Sequence, residues 1–138
     1  MSIYKILSHP YTLIMSYFMM LIIGEHIGGI YLMYVLMALY YGGIHSLLAI
    51  AGTLIIFISH HRLKNKKYDL LGRVLNIVAL FMLFFSVYYF FWNDPKNYNR
   101  GTFEQTIPLL TFILTGFLAL CFLLDNLPLK KFMIPRAN

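Results

Sequence analysis

His45 is the residue whose type and position most favour chemistry. It lies in an uncharged, apolar stretch that runs from residue 30 to residue 59 and is long enough to cross a membrane. An ionisable side chain inside a membrane is costly, so it marks a functional site by default. An imidazole there can hydrogen-bond to a neighbouring helix, coordinate haem iron, donate to a quinone or relay a proton. Tyr41 comes four residues earlier and could form one wall of a quinone slot. We therefore take His45 and Tyr41 as candidate cofactor-binding residues.

The other histidines do not complete a cofactor site by their positions. A bis-histidine haem inside a membrane needs two ligands at similar depth, and His9, His26 and the pair His60-His61 are predicted to lie at the membrane edges. Adjacent histidines without further Cys or carboxylate ligands do not match a zinc site. The Glu25-His26 pair is typical of a solvated turn, although it could bind a metal or move a proton. Haem and quinone binding stay open, without a second deep ligand.

Catalytic motifs are not found in the sequence. It contains no Walker motif, nucleophile elbow, HExxH or CxxC, which are the short patterns that combine reactive groups at fixed spacing. Cys121 is the single cysteine, so an intramolecular disulfide is excluded. These observations favour a non-enzymatic protein.

The composition indicates a membrane protein. Hydrophobic residues make up 60% of the 138 residues and charged residues 12%, whereas soluble domains have about 45–50% and about 25%. A soluble domain of this length could not bury so much apolar surface. The net charge of +6 would suggest nucleic acid in a soluble protein, but here basic residues flank apolar runs, where they orient helices and contact lipid headgroups. We expect membrane lipids as partners and no nucleic acid.

Four apolar segments predict an all-α fold, an integral membrane four-helix bundle with short loops that forms one domain. The predicted transmembrane helices cover about 8–24, 30–58, 68–92 and 105–124, followed by a short tail at 125–138. A span needs about 20 residues, so the second helix must tilt or kink. Gly42-Gly43 is the predicted kink. A rival partition puts a loop there and buries Glu25-His26. The first helix precedes no cleavage pattern, and we expect it to be retained.

The basic residues orient these helices. Nine of the 11 Lys and Arg residues lie in the N-terminus, around the loop between the second and third helices, and in the tail, whereas Lys96 and Arg100 lie on the other side. Because cytoplasmic loops carry the excess of Lys and Arg, the chain is predicted to be N-in and C-in. The short loops suggest a multipass protein of a bacterial inner membrane. The residues assigned to headgroup contact and topology are Arg62, Lys64, Lys66, Lys67, Arg73, Lys130 and Lys131.

Small and polar residues indicate which helix faces meet. Membrane helices associate through small side chains and interhelical hydrogen bonds, and such residues recur at steps of three and four on the predicted helices. The predicted packing and polar-core residues are Ser16, Gly42, His45, Ala49, Gly52, Gly72, Asn76 and Thr111.

Three functions remain open from the sequence. The leading hypothesis is a small non-enzymatic accessory or structural subunit of a larger membrane protein complex, with other membrane subunits as partners. The first alternative is a haem- or quinone-binding electron-transfer subunit that uses His45. The second is a small oligomeric transporter or channel whose path uses Glu25, His45 or Asn76.

Overall fold

The computed structural model describes residues 3–25, 28–62, 69–94 and 96–127. Within these ranges the chain is mostly helical, with one short antiparallel sheet. The elements in chain order are α1 (Ile3–Leu7), α2 (Pro10–Phe18), β1 (Leu21–Ile23), β2 (Gly28–Ile30), α3 (Tyr31–Tyr40), α4 (Ile44–Arg62), α5 (Asp69–Trp92), α6 (Gly101–Glu104) and α7 (Thr106–Asn126).

Three of the described helices are long and apolar enough to cross a membrane. They are α4, α5 and α7, whose apolar stretches are 18, 23 and 21 residues long with mean hydropathies of 1.6, 2.2 and 2.5. At a rise of about 1.5 Å per residue, each stretch reaches about 27–35 Å, against a hydrocarbon core of about 30 Å. These three helices are therefore compatible with a multipass membrane protein.

Helices α4 and α5 form the most closely packed pair. Small residues line their contact, and Ala49 and Ala79 are fully buried there. Gly52 approaches α5 so closely that a Cβ at this position would lie 3.0 Å from the Ala79 carbonyl oxygen and 3.1 Å from Leu83 Cδ2. Close backbone approach of this kind supplies the packing contacts that replace a hydrophobic driving force inside a lipid bilayer.

The first apolar segment differs from the predicted helix at 8–24. Its helices α1 and α2 have only 5 and 9 residues, and the chain continues as strand β1. The segment runs antiparallel to α7, because Tyr4 Oη donates to the Cys121 carbonyl, Ser16 contacts Thr115, and the Leu21 amide donates to Thr111 Oγ1. A bundle of four regular helices is therefore not confirmed.

The predicted helix at 30–58 is interrupted at Gly42-Gly43. Helix α3 ends at Tyr40, and α4 begins at Ile44. Gly42 has a φ of +71°, a left-handed conformation that glycine adopts without the Cβ clash of other residues. The connection is thus a turn rather than a kink. As a consequence, His45 lies in the first turn of α4 and not at the centre of a long helix.

Strand β2 and helix α3 form a re-entrant segment, residues 28–40. Tyr31 Oη lies 2.8 Å from Ser86 Oγ, and Tyr34 packs on Phe90 at a ring-centroid distance of 5.3 Å. The segment therefore starts beside Ser86, about 9 Å from the Trp92 end of α5, and runs back toward that end. We call the two ends of the bundle the Trp92 end and the Arg62 end.

The strands of this region lie near the Trp92 end, beside α6 and the first turns of α7, where any backbone group that enters the hydrocarbon must be paired. β1 and β2 pair antiparallel, with Leu21 opposite Ile30. On its other side β1 is served by threonines, because the Ile23 amide donates to Thr102 Oγ1 at 2.9 Å and the Leu21 amide to Thr111 Oγ1 at 3.1 Å. Ile22 and Tyr31 are fully buried. Non-helical backbone is tolerated here because β1 finds hydrogen-bond partners on both of its sides.

Candidate functional site

One ring nitrogen of His45 is hydrogen-bonded, and the other has no hydrogen-bond partner among the described residues. The ring hydrogen-bonds to the backbone of Tyr34 on α3, while its Nε2 atom is buried and has no hydrogen-bond partner among the residues that the structure describes. Nδ1 is therefore the donor to the Tyr34 carbonyl, and Nε2 carries the lone pair in the neutral ring. The edge of Phe90 covers the ring at 5.3 Å between centroids. A buried acceptor without a partner costs about 1–3 kcal/mol and requires an explanation.

Tyrosine and serine side chains connect the backbone of His45 to the middle of the bundle. Ser86 Oγ donates to the His45 carbonyl at 2.6 Å, which commits its only proton. The hydroxyl of Tyr31 is then the donor to Ser86. Tyr17, on α2, donates to the Leu83 carbonyl at 3.1 Å and stacks edge-on against Tyr31. We call Tyr17, Tyr31 and Ser86 the tyrosine cluster; it joins the re-entrant segment to α2 and α5.

Tyr41, which was predicted to line a quinone site, does not lie beside the His45 ring. Tyr41 is 85% exposed, and its ring contacts Tyr40. Phe90 is the aromatic ring that contacts the His45 ring among the described residues, and Tyr34 meets that ring through its backbone. An imidazole that donates its Nδ1–H to a carbonyl and keeps its Nε2 lone pair free can coordinate haem iron. Phe90 would have to move to make room for the haem.

A second ligand for such a group is not at the same depth within the described part of the chain. His60 lies on the same helix, fifteen residues further along, which is about 22 Å away. His9 lies beside His60, at 5.3 Å between ring centroids. In the described ranges no three His, Cys, Asp or Glu side chains come together as a metal site. His26 lies outside the described residues.

A second polar group, the amide cluster of Ser59, Asn76 and Asn126, joins α4, α5 and α7 near the Arg62 end. Ser59 hydrogen-bonds to Asn76 Oδ1, Asn76 Nδ2 donates to Asn126 Oδ1 at 2.7 Å, and Asn126 Nδ2 donates to the Phe122 carbonyl at 2.8 Å. All three residues of the cluster are buried. Buried amides in a membrane protein need such partners, and here they tie the three long helices together.

Apolar packing separates the two polar groups. Between the tyrosine cluster and the amide cluster, Gly52 on α4 packs against Leu83 on α5, and Ile56 on α4 is fully buried. A polar path that joined His45 to Asn76 along this contact would have to pass through that layer. The arrangement suits a structural role for both groups better than a conduit.

The remaining predicted residues lie at several places. Ser16 and Thr115 are 2.7 Å apart at the contact of α2 with α7, and Thr111 serves β1. Gly72 is buried on α5, Gly42 is in the exposed turn before α4, and Arg73 is half-buried on α5. Arg62 ends α4, and Lys64, Lys66, Lys67, Lys130 and Lys131 lie outside the described residues.

Several residues of these networks were not predicted. Tyr17, Tyr31 and Thr102 occur in sequence contexts that give no indication of a site, because their roles depend on the strands between α2 and α3. Asn126 falls in the predicted tail, although α7 includes it. Its polar side chain directly after an apolar run was the one signal available.

The outer side of α5 carries a continuous aromatic face, which we define as Phe81, Phe84, Phe85, Tyr88 and Trp92. Their exposed fractions lie between 48% and 74%. Tyr88 and Trp92 are stacked at 5.7 Å. Open grooves of about 370 and 440 Å³ lie along this face, the larger one bounded by Phe103 and Phe112. The exposed side of α7 is instead mainly aliphatic, with Leu110, Ile113 and Leu114 among its residues.

Comparison of this chain with protein-family models, with curated proteins and with solved structures finds no match.

Proposed function

We propose that this chain is a small non-enzymatic accessory subunit of a larger membrane protein complex. The observation that carries the proposal is the aromatic face of α5, five large rings in one stripe with grooves between them. Aromatic side chains are enriched at protein interfaces, and they dominate binding energy there. The partner that fits is an apolar membrane helix of another subunit, whose side chains would enter the grooves.

The contrast between α5 and α7 supports this choice. Both helices are apolar and both have an exposed side, but α5 presents rings where α7 presents mostly aliphatic side chains. The aromatic belt of a membrane–water interface accounts for rings at the end of α5, such as Trp92, but not for Phe81, Phe84 and Phe85, which lie about two to three turns further in. Tyr88 adds a hydroxyl to this exposed face, and such a group favours a partner that can accept its hydrogen bond.

A site-specific photo-crosslink tests the proposal in native membranes. A photoreactive residue at Tyr88 should give one discrete protein adduct, and the same residue at Leu110 on α7, which is similarly exposed at 56% against 57%, should give none. The double variant Phe84→Ala, Tyr88→Ala should lose the subunits that co-purify with the wild-type chain in mild detergent. The control double variant Leu110→Ala, Leu114→Ala should retain them. Adducts with lipid alone at Tyr88 would refute the proposal.

The unpartnered Nε2 of His45 favours a second candidate, an electron-transfer subunit that binds haem or a quinone. A haem would need its other axial ligand from a partner subunit or a second copy of the chain. The complex purified in mild detergent should then show a reduced-minus-oxidised band that His45→Ala abolishes and His9→Ala retains. A featureless spectrum from a folded complex would exclude haem, and loss of the band in both variants would exclude His45 as its specific ligand.

A further inference from the structure

An open pocket at the Arg62 end collects polar side chains from four helices and one turn. It has a volume of about 330 Å³, and its lining includes Lys5, His9, His60, Asn76, Asp125 and Asn126. These residues come from α1, the turn after it, α4, α5 and α7. Pockets for small ligands range over about 300–1,000 Å³, so this one suits a small group.

The pocket lies where the long helices end. His60 is in the last turn of α4, and Asn126 is the last residue of α7. Helices that cross a membrane leave the hydrocarbon at their ends, where headgroups begin. Buried Pro10 and Phe122 add apolar surface to the lining, against which the start of an acyl chain can pack. The position therefore favours an amphipathic ligand, a lipid, over a free solute.

The pocket is lined by two exposed side chains of opposite charge and by two buried amides, which we call the amide floor. Lys5 and Asp125 are exposed, whereas Asn76 and Asn126 are 3% and 5% exposed. Each of the two amide nitrogens carries a second N–H beyond the one used in the amide cluster. Phosphate oxygens accept hydrogen bonds from ammonium, imidazole and amide groups, and a primary ammonium donates to a carboxylate.

We propose that the pocket binds the headgroup of a phosphoethanolamine lipid, with the phosphate at Lys5 and the amide floor and the ammonium at Asp125. A phosphocholine headgroup has the same phosphate, but its quaternary ammonium has no N–H to give to Asp125. A headgroup with negative charge alone would bring that charge to the Asp125 carboxylate. The mixed charge of the pocket thus selects the zwitterion with a primary amine.

Native mass spectrometry of the full chain, with equal amounts of phosphatidylethanolamine, phosphatidylcholine and phosphatidylglycerol, tests this assignment. Phosphatidylethanolamine should be retained preferentially. Because exposed ion pairs contribute about 0.2–1 kcal/mol, each charge removed should weaken binding by at most about five-fold. Lys5→Gln should weaken retention of all three lipids, while Asp125→Asn should weaken phosphatidylethanolamine most, phosphatidylcholine less because it loses only the charge attraction, and phosphatidylglycerol not at all. Lys96→Gln, an exposed lysine outside this pocket, should change nothing.

Soluble competitors separate the lipid from its headgroup. Free phosphoethanolamine and inorganic phosphate should fail to displace the lipid at concentrations where a short-chain phosphatidylethanolamine succeeds. Equal displacement by free phosphoethanolamine would overturn the assignment to a lipid. Equal retention of the ethanolamine and choline lipids, or a preference that survives Asp125→Asn, would overturn the assignment of the headgroup. Both substituted side chains are exposed, so the variants should fold, and thermal unfolding checks that they do.

Discussion

The contact of Gly52 with α5 predicts a large difference between two glycine substitutions that look alike in the sequence. Gly52 lies in α4 and Gly116 in α7, both inside long helices. A Cβ on Gly52 would lie 3.0 Å from the carbonyl oxygen of Ala79 and 3.1 Å from Leu83 Cδ2, whereas a Cβ on Gly116 meets nothing within 4 Å. The oxygen is backbone and cannot rotate away, so α5 itself must shift.

The magnitude follows from two opposing effects. Replacing a helical glycine with alanine gains up to about 1 kcal/mol from helix propensity, and this gain is common to both sites. Overpacking costs about 1–3 kcal/mol, and only Gly52→Ala incurs it. The free energies of unfolding of the two variants should therefore differ by about 1–3 kcal/mol, with Gly116→Ala the more stable, because the propensity effect cancels in the difference.

Unfolding by SDS in mixed micelles, followed by circular dichroism, measures this difference. The wild-type protein should lie between the two variants or close to Gly52→Ala. A further variant, Gly52→Val, should lose more than Gly52→Ala because its γ-methyl groups enter the same contact. Equal stability of Gly52→Ala and Gly116→Ala, within about 0.5 kcal/mol, would refute the close packing of α4 against α5.

Three further outcomes test strand β1, the turn at Gly42 and the amide cluster. Thr111→Val removes the acceptor of the Leu21 amide and should cost about 1–3 kcal/mol, with faster hydrogen exchange at that amide, whereas Thr111→Ser should preserve both. Gly42→Ala places a Cβ at φ +71° and should cost about 1–2 kcal/mol in SDS unfolding, and Gly42→Asn should cost less because Asn tolerates this conformation. Asn76→Ala and Asn126→Ala should be coupled by about 0.5–1.5 kcal/mol in a double-mutant cycle; additive effects would contradict their 2.7 Å hydrogen bond.

Hydropathy predicted the long helices well and the first third of the chain poorly, for a physical reason. Helices α5 and α7 lie in the segments predicted at 68–92 and 105–124. An uninterrupted apolar run that faces lipid must be helical, because a helix pairs its backbone polar groups within the segment itself. An apolar run whose backbone groups can pair with other parts of the protein has other solutions. Strand β1 lies in such a run, and nothing in Leu21–Ile23 distinguishes it from one more helical turn.

The glycine pair shows the same limit at a single site. The sequence located the irregularity at Gly42-Gly43, and a kink and a loop were both compatible with it. The left-handed φ of Gly42 decides between them, and it depends on α3 returning beside α4, where Tyr34 receives the His45 hydrogen bond. The depth of His45, and with it the cofactor hypothesis, therefore depended on a tertiary contact. Asn76 could be placed on a packing face by spacing, but its partner Asn126 lies fifty residues away.

The threonines of the C-terminal half also constrain how the N-terminal third can fold. The Leu21 and Ile23 amides point away from β2 and are satisfied by Thr111 on α7 and Thr102 on α6. Before those helices are in place, an extended β1 would leave both donors without these partners, and in hydrocarbon the Leu21 donor alone would cost several kcal/mol. We therefore expect β1 to stay helical, or outside the hydrocarbon, until α7 is in place. On this argument residues 3–25 fold together with α7, against the hairpin of α4 and α5.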